Sequence, residues 1–239
     1  MKRRLALLPL VSALVFAGAA HAHQIWLEQT PKAANLYFGE FGENLRETSP
    51  GLLDKFVKPT ATLSSAKGDQ VLTLNKQANA FTLSAPAGKN ETITVEETNY
   101  PGFEKKTGET VVRSIWTPAA RLVTSDAAQA PKLTLDLVPN GKPGEFKVYY
   151  KGQALPKAKV GIIVQSGWAK EATSDEQGIV KFNLPWQGTY VLEVHHTDKT
   201  AGERDGKPYD VASFVTTLSL AQTKGIKAVA AGPAATPNK

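Results

Sequence analysis

The sequence predicts an all-β protein built as two sandwich domains with one short helix. Three observations point there. About a dozen short runs alternate apolar and polar residues, turn formers separate these runs at roughly ten-residue spacing, and 3.6-residue periodicity is nearly absent.

The chain opens with Lys2, Arg3 and Arg4, followed by the apolar run Leu5 to Ala17. A basic segment before a short apolar one reads as a secretion leader, and Ala20 and Ala22 supply the A-x-A pattern at which it is cut. Residues 1–22 are therefore expected to be a signal peptide, leaving His23 first; a cut after Ala20 would leave His21 first. The apolar run is too short for a membrane span, and no later stretch approaches the ~20 apolar residues that a span needs. The mature chain is expected to be periplasmic and not membrane-embedded. Loss of the three basic residues lowers the formal charge from +6 to +3. The remaining charges are mixed along the chain without a basic block, which argues against nucleic acid as a partner.

The first domain is placed at 23–125. Its first strands are Gln24 to Glu28 and Asn35 to Phe41, and the Gly-spaced acidic stretch Gly39 to Asn44 overlaps the end of the second. Ser49 to Phe56 is the predicted helix, with Ser49 as cap and Pro50 at the first position, where its missing N–H costs nothing. Strands are expected at Thr60 to Ser65, Gln70 to Asn75, Ala80 to Ser84, Glu91 to Glu97 and Thr110 to Trp116. Thr92-Ile93-Thr94-Val95 shows the period-2 alternation of a half-buried antiparallel strand.

Ser125 to Pro131 is small and polar without hydrophobic period, and the boundary is placed there. The second domain, 131–222, follows with strands at Lys132 to Val138, Glu145 to Tyr150, Lys159 to Val164, Gly178 to Leu184, Thr189 to His195 and Ser213 to Leu220. Residues 223–239, rich in Ala, Pro and Gly, are expected to be a disordered tail. Three stretches of this domain, Gly152 to Val160, Thr173 to Val180 and Leu184 to Tyr190, resemble exported transthyretin-like and immunoglobulin-like modules. The resemblance implies a sandwich of that type for this domain and no activity, and both domains are expected to be immunoglobulin-like or transthyretin-like sandwiches.

There is no cysteine, and the single methionine is the initiator, so any metal must sit on nitrogen and oxygen donors. The four histidines are His21 and His23 at the cleavage site and the pair His195 and His196. In a strand Tyr190, Leu192, Val194 and His196 share one face, and Val191, Glu193 and His195 share the other. The first face is the more apolar, so His195 is the better ligand and His196 caps the core or turns into the following loop. A terminal histidine offers an imidazole and an α-amine whose ordinary pKa of about 8 lets it yield its proton to a metal; together they chelate one ion. Histidines this scarce, at a mature N-terminus and one strand end, point to a metal site on His23 and His195, with His196 as a lesser candidate. Oxygen donors or tautomer-fixing partners would come from Glu40, Glu43, Glu193, Asp198 and Asp210, with Glu40 and Asp210 the chosen candidates.

His23 to Glu28, Leu36 to Asn44 and Tyr190 to Asp198 together resemble a bacterial exported family of unknown-function label, described as the periplasmic component of an ATP-driven cobalt/nickel uptake system. The resemblance covers essentially the whole mature chain. It implies a protein that is not an enzyme, binds nickel or cobalt through residues matching His23 and His195, and delivers the ion to an inner-membrane transporter. Two other readings stand beside it: a copper "histidine brace" oxidase-type enzyme, and a structural or adhesive envelope module without metal. No Gly-x-Ser-x-Gly elbow is present, and the Gly39-x-x-Gly42 stretch lacks the lysine and helix of a phosphate cradle.

Overall fold

The computed structural model describes residues 23–238, so the expected signal peptide and His21 lie outside the described residues. Among these residues the chain is almost entirely β and is organised around one nine-stranded sheet. From one edge its strands are Ala169–Thr173, Lys159–Val164, Gly188–Asp198, Val211–Gln222, Thr110–Val123, Thr92–Glu96, Thr60–Ser65 and Gly68–Leu72. Phe103–Thr107 pairs alongside the start of Thr110–Val123. The expected division near residue 125 does fall between strands, but the sheet runs through it. Thr110–Val123 from the first half pairs parallel with Val211–Gln222 from the second, in register from Ser114 opposite Val211 to Val123 opposite Leu220. A parallel pair cannot be closed by a tight hairpin. Here nearly the whole second half is the crossover.

Each face of this sheet carries its own core. The five-stranded sheet of Gln24–Gln29, Ala34–Glu40, Leu45–Arg46, Leu74–Lys76 and Phe81–Leu83 covers one face. Ile25, Leu36 and Phe38 pack there against Ile93, Val95, Ala120 and Leu122. The four-stranded sheet of Leu135–Pro139, Glu145–Tyr150, Gln153–Ala154 and Ile179–Lys181 covers the other, with Leu137, Phe146 and Val148 against Tyr190, Leu192, Val194 and Leu218. Each such fully buried side chain contributes about 1.5–3 kcal/mol over an exposed one. The alternation within Thr110–Val123 serves both cores: Ala120 and Leu122 enter the first, while Val123 enters the second. Arg121, also on the second face, makes a buried two-point ion pair with Asp136 of the four-stranded sheet. A third cluster, Trp26, Phe41 and Val191, joins the N-terminal sheet to the strand Gly188–Asp198.

The predicted helix is realised as a single 3-10 turn, Leu52–Lys55. Asp54 organises it, accepting hydrogen bonds from the Ser49 hydroxyl and the Gly51 N–H. Pro59, four residues on, biases Lys58 toward extended backbone, so the turn has little room to grow. The tail carries no strand or helix over its described part, residues 223–238. Hydrogen bonds nevertheless hold it along its length. Ile226 exchanges backbone bonds with Pro185 and Gln187, Gly232 and Ala235 meet Asn44, and Asn238 meets Glu47.

Candidate functional site

His23 stands immediately before the strand Gln24–Gln29, whose pairing sets Gln24 opposite Gly39 and so brings His23 beside Glu40. The chain then turns sharply. Gly39 has φ of 143°, and a Cβ there would lie 2.3 Å from the Leu45 carbonyl oxygen, so only glycine fits. A 3-10 turn at Phe41–Glu43 and a left-handed Asn44 return the chain as Leu45–Arg46, in register with Glu40 and Gly39. Glu47 comes next, its N–H bonded to the Phe38 carbonyl, and its side chain is completely buried.

That buried carboxylate meets the first histidine. His23 Nε2 lies 2.5 Å from Glu47 Oε1, and His23 Nδ1 lies 3.6 Å from Glu40 Oε1. Asn238 closes over the pair, donating from its backbone N–H to Glu47 Oε2 and from Nδ2 to Glu47 Oε1, with Nδ2 also 3.2 Å from His23 Nε2. A neutral imidazole that donates Nε2–H to a carboxylate carries its lone pair on Nδ1. In the tautomer in which Nε2 donates to Glu47, the Nδ1 lone pair is on the side of Glu40.

His195 reaches the same place from the other side. It lies on the face of Gly188–Asp198 that carries Val191 and Glu193, as the alternation requires, and its Nε2 lies 2.5 Å from Glu193 Oε1. Desolvation pulls the imidazole's pKa down, but the hydrogen bond and charge of Glu193 outweigh it and hold His195 above the ordinary histidine value. His23 and His195 both line a cleft of about 350 Å³ between the N-terminal sheet and the large sheet, with Phe38, Tyr100, Trp116 and Val215. The rings of Tyr100 and Trp116 meet edge to face at 4.6 Å, and Phe38 stands 5.1 Å from the His23 ring. A second cleft of about 400 Å³ is lined by Glu40, Glu43, Glu193 and His195, so the two clefts share His195.

The other expected residues lie elsewhere. His196 faces the opposite side, its ring 4.1 Å from that of Tyr150, and burial pushes its pKa down. Asp210 is held by Arg113 through two guanidinium bonds and the backbone N–H, and does not line the cleft of the two histidines. Asp198 accepts from Tyr150 and Lys151. Among the described residues no group of three or more His, Cys, Asp or Glu is gathered tightly enough to hold a metal ion. Sequence reasoning missed Glu47 and Asn238. The first was accessible in principle, since a return strand pairing with Gly39 puts residue 47 beside Phe38, one strand from residue 23. Nothing local marks the second.

Fold and site together define an all-β sandwich protein with a histidine- and carboxylate-lined cleft between its N-terminal and central sheets. The chain belongs to the family described as Domain of unknown function (DUF4198), whose family model matches residues 20–198. That span includes His23, Glu47 and His195 and ends before the strand Val211–Gln222. No curated protein matches the chain. No helix among the described residues is long and apolar enough to cross a membrane.

Proposed function

We propose that the mature chain is a periplasmic binding protein for a divalent transition metal, nickel or cobalt, which it passes to an uptake transporter in the inner membrane. The observation that carries this reading is the hydrogen bond from His23 Nε2 to buried Glu47, in a cleft that His195 also lines. A carboxylate behind a ligating imidazole fixes its tautomer and raises its basicity. Removal of residues 1–22 would convert the His23 amide nitrogen into an amine, adding the donor that the unprocessed chain lacks. Amine, His23 Nδ1 and the His195 imidazole then form a nitrogen set suited to nickel, cobalt or copper, with Glu40 as an oxygen donor. The ion is cargo, so no activated water and no catalysis are required.

Titration of nickel, cobalt and copper into protein beginning at His23 tests this. One extra residue ahead of His23 keeps every side chain but replaces the amine by an amide. Affinity should then fall by more than tenfold, at least ~1.4 kcal/mol. His195→Ala should weaken binding comparably, and His196→Ala should not. Equal affinity of the native and extended proteins would remove His23 from the site. Copper-dependent turnover with ascorbate or peroxide would instead favour the oxidase reading.

A further inference from the structure

A neighbouring cleft, of about 610 Å³, opens where the hairpin Gly202–Arg204 and Lys207–Tyr209 folds beside Phe103 and the start of Thr110–Val123. It shares Tyr100 and Phe103 with the cleft of the two histidines, whereas Arg204 and Tyr209 line this one and not that one. We propose that it binds a small organic monocarboxylate with an aromatic or other flat apolar body, anchored by Arg204. This goes beyond metal binding and does not rest on it.

The argument starts from the charge state of Arg204. Its guanidinium donates to two neutral acceptors, the Trp116 carbonyl at 3.1 Å and the Thr117 hydroxyl at 2.5 Å. Among the described residues no carboxylate forms an ion pair with it. Burial pulls its pKa down, and the charges of Asp205, Glu96 and Glu97 offset this only in part. Arg113, on the same cleft, shows the contrast, because Asp210 already takes it in a two-point pair. A partly desolvated cation whose hydrogen bonds all go to neutral acceptors is costly, and an anion in contact with it relieves that cost. A guanidinium has five N–H donors in a planar fork, which matches a carboxylate.

The walls indicate the rest of the ligand. Tyr100, Phe103 and Tyr209 line the cleft, and Phe103 is 52% exposed, an apolar ring left in solvent at its rim. Pockets of this kind bury a flat apolar body while a few polar groups orient it. Glu104 and Asp205 also line the cleft and are both exposed. The exposed Lys207 lines it too and offsets one of the two, and with Arg113 already paired to Asp210 the remaining carboxylate and Arg204 leave no excess positive charge for a multiply charged anion such as phosphate, so a single carboxylate is the fitting charge.

Benzoate is the probe, with neutral benzamide and inorganic phosphate as controls, titrated into metal-free protein and followed by calorimetry and by amide chemical shifts. Benzoate should bind saturably and shift Tyr100, Phe103 and Tyr209, while benzamide and phosphate should not. Arg204→Gln should weaken benzoate at least tenfold. Phe103→Ala, at a position 52% exposed, should weaken it severalfold, which keeps the test decisive if Arg204→Gln unfolds. Absence of saturable benzoate binding, equal binding of benzamide, or unchanged affinity in folded Arg204→Gln or in Phe103→Ala would each overturn the proposal. Metal affinity is read separately in Arg204→Gln, whose position lines this cleft and not the one of the two histidines, so a loss of benzoate with unchanged metal affinity separates the two sites.

Discussion

Replacing Glu47 by glutamine keeps the volume of a completely buried side chain and removes its charge. In the native chain three donors converge on two carboxylate oxygens: His23 Nε2 and Asn238 Nδ2 on Oε1, and the Asn238 N–H on Oε2. Glutamine must put an NH₂ group at one of those positions. At Oε1 it would donate to His23 Nε2, forcing the proton to Nδ1 and taking away the lone pair that, under the proposed function, would chelate the ion. At Oε2 it would face the Asn238 N–H and break the contact of the tail. Hydrogen bonds to a charged group are worth about 1.5–3 kcal/mol each. Loss of a carboxylate behind a ligating histidine commonly lowers metal affinity 10- to 100-fold, or about 1.4–2.7 kcal/mol. Calorimetric titration of nickel into the His23-start protein and its Glu47→Gln variant should show a loss in that range, with an unchanged circular dichroism spectrum. Equal affinities in a folded variant would refute the tautomer argument, because Glu47 would then be only a structural partner of Asn238.

Asp136→Ala leaves Arg121 buried with no carboxylate and strips acceptors from three backbone N–H groups, those of Lys132, Leu133 and Leu137. Breaking a buried pair costs about 3–5 kcal/mol, so thermal unfolding should move down by roughly 6–20 °C at about 2–4 °C per kcal/mol for a chain of this size. Asp210 gives the pH test: the side-chain hydrogen bond from Arg113, then its backbone N–H, hold the carboxyl at about 2. Its folded pKa is depressed, so the stability it confers is complete above the ordinary value of 3.8 and is lost as pH falls through about 2. Urea midpoints for Asp210→Asn should therefore decline less than wild type between those pH values, while nickel affinity at neutral pH stays the same.

The faces of the histidine strand were legible because a strand has period two and nothing distant can change it. Tyr190, Leu192 and Val194 enter one core, Val191 joins another cluster, and His195 stands with Glu193 on the Val191 side. Most strands were legible for the same reason. The parallel seam was not, because pairing Ser114 with Val211 depends on the energy of both completed cores and leaves no local pattern. The short helix was misjudged in kind: capping residues were present, but one turn between Gly51 and the Lys58-Pro59 step closes more cheaply as 3-10. Asp210 shows the limit of choosing carboxylates before their partners are known. Its partner, Arg113, lies in the other half of the chain and reaches it across the seam.

The frame around the two histidines bears on metal selectivity. Nitrogen donors as such favour copper over nickel and cobalt, so a carrier for either must discriminate by geometry. Geometry discriminates only if the donors cannot relax toward the preferred arrangement of the wrong ion. His23 adjoins a strand whose Ile25 carbonyl accepts a buried 2.6 Å hydrogen bond from Thr217 of the large sheet. His195 belongs to the strand that neighbours Thr217, with Glu193 opposite Thr217 and His195 opposite Val215. Trp26 and Phe41 pack on Val191, four residues before His195 on the same face. His195 is therefore carried by a strand and His23 by the residue directly before one, and those two strands are locked to each other. Each imidazole is further held through Nε2 by a carboxylate, Glu47 for His23 and Glu193 for His195. The amine at residue 23 is the donor with the most freedom, since the strand begins only at Gln24. Under the metal-binding reading, selectivity is set by the fixed separation of the two rings, while the amine adapts to the ion that fits it.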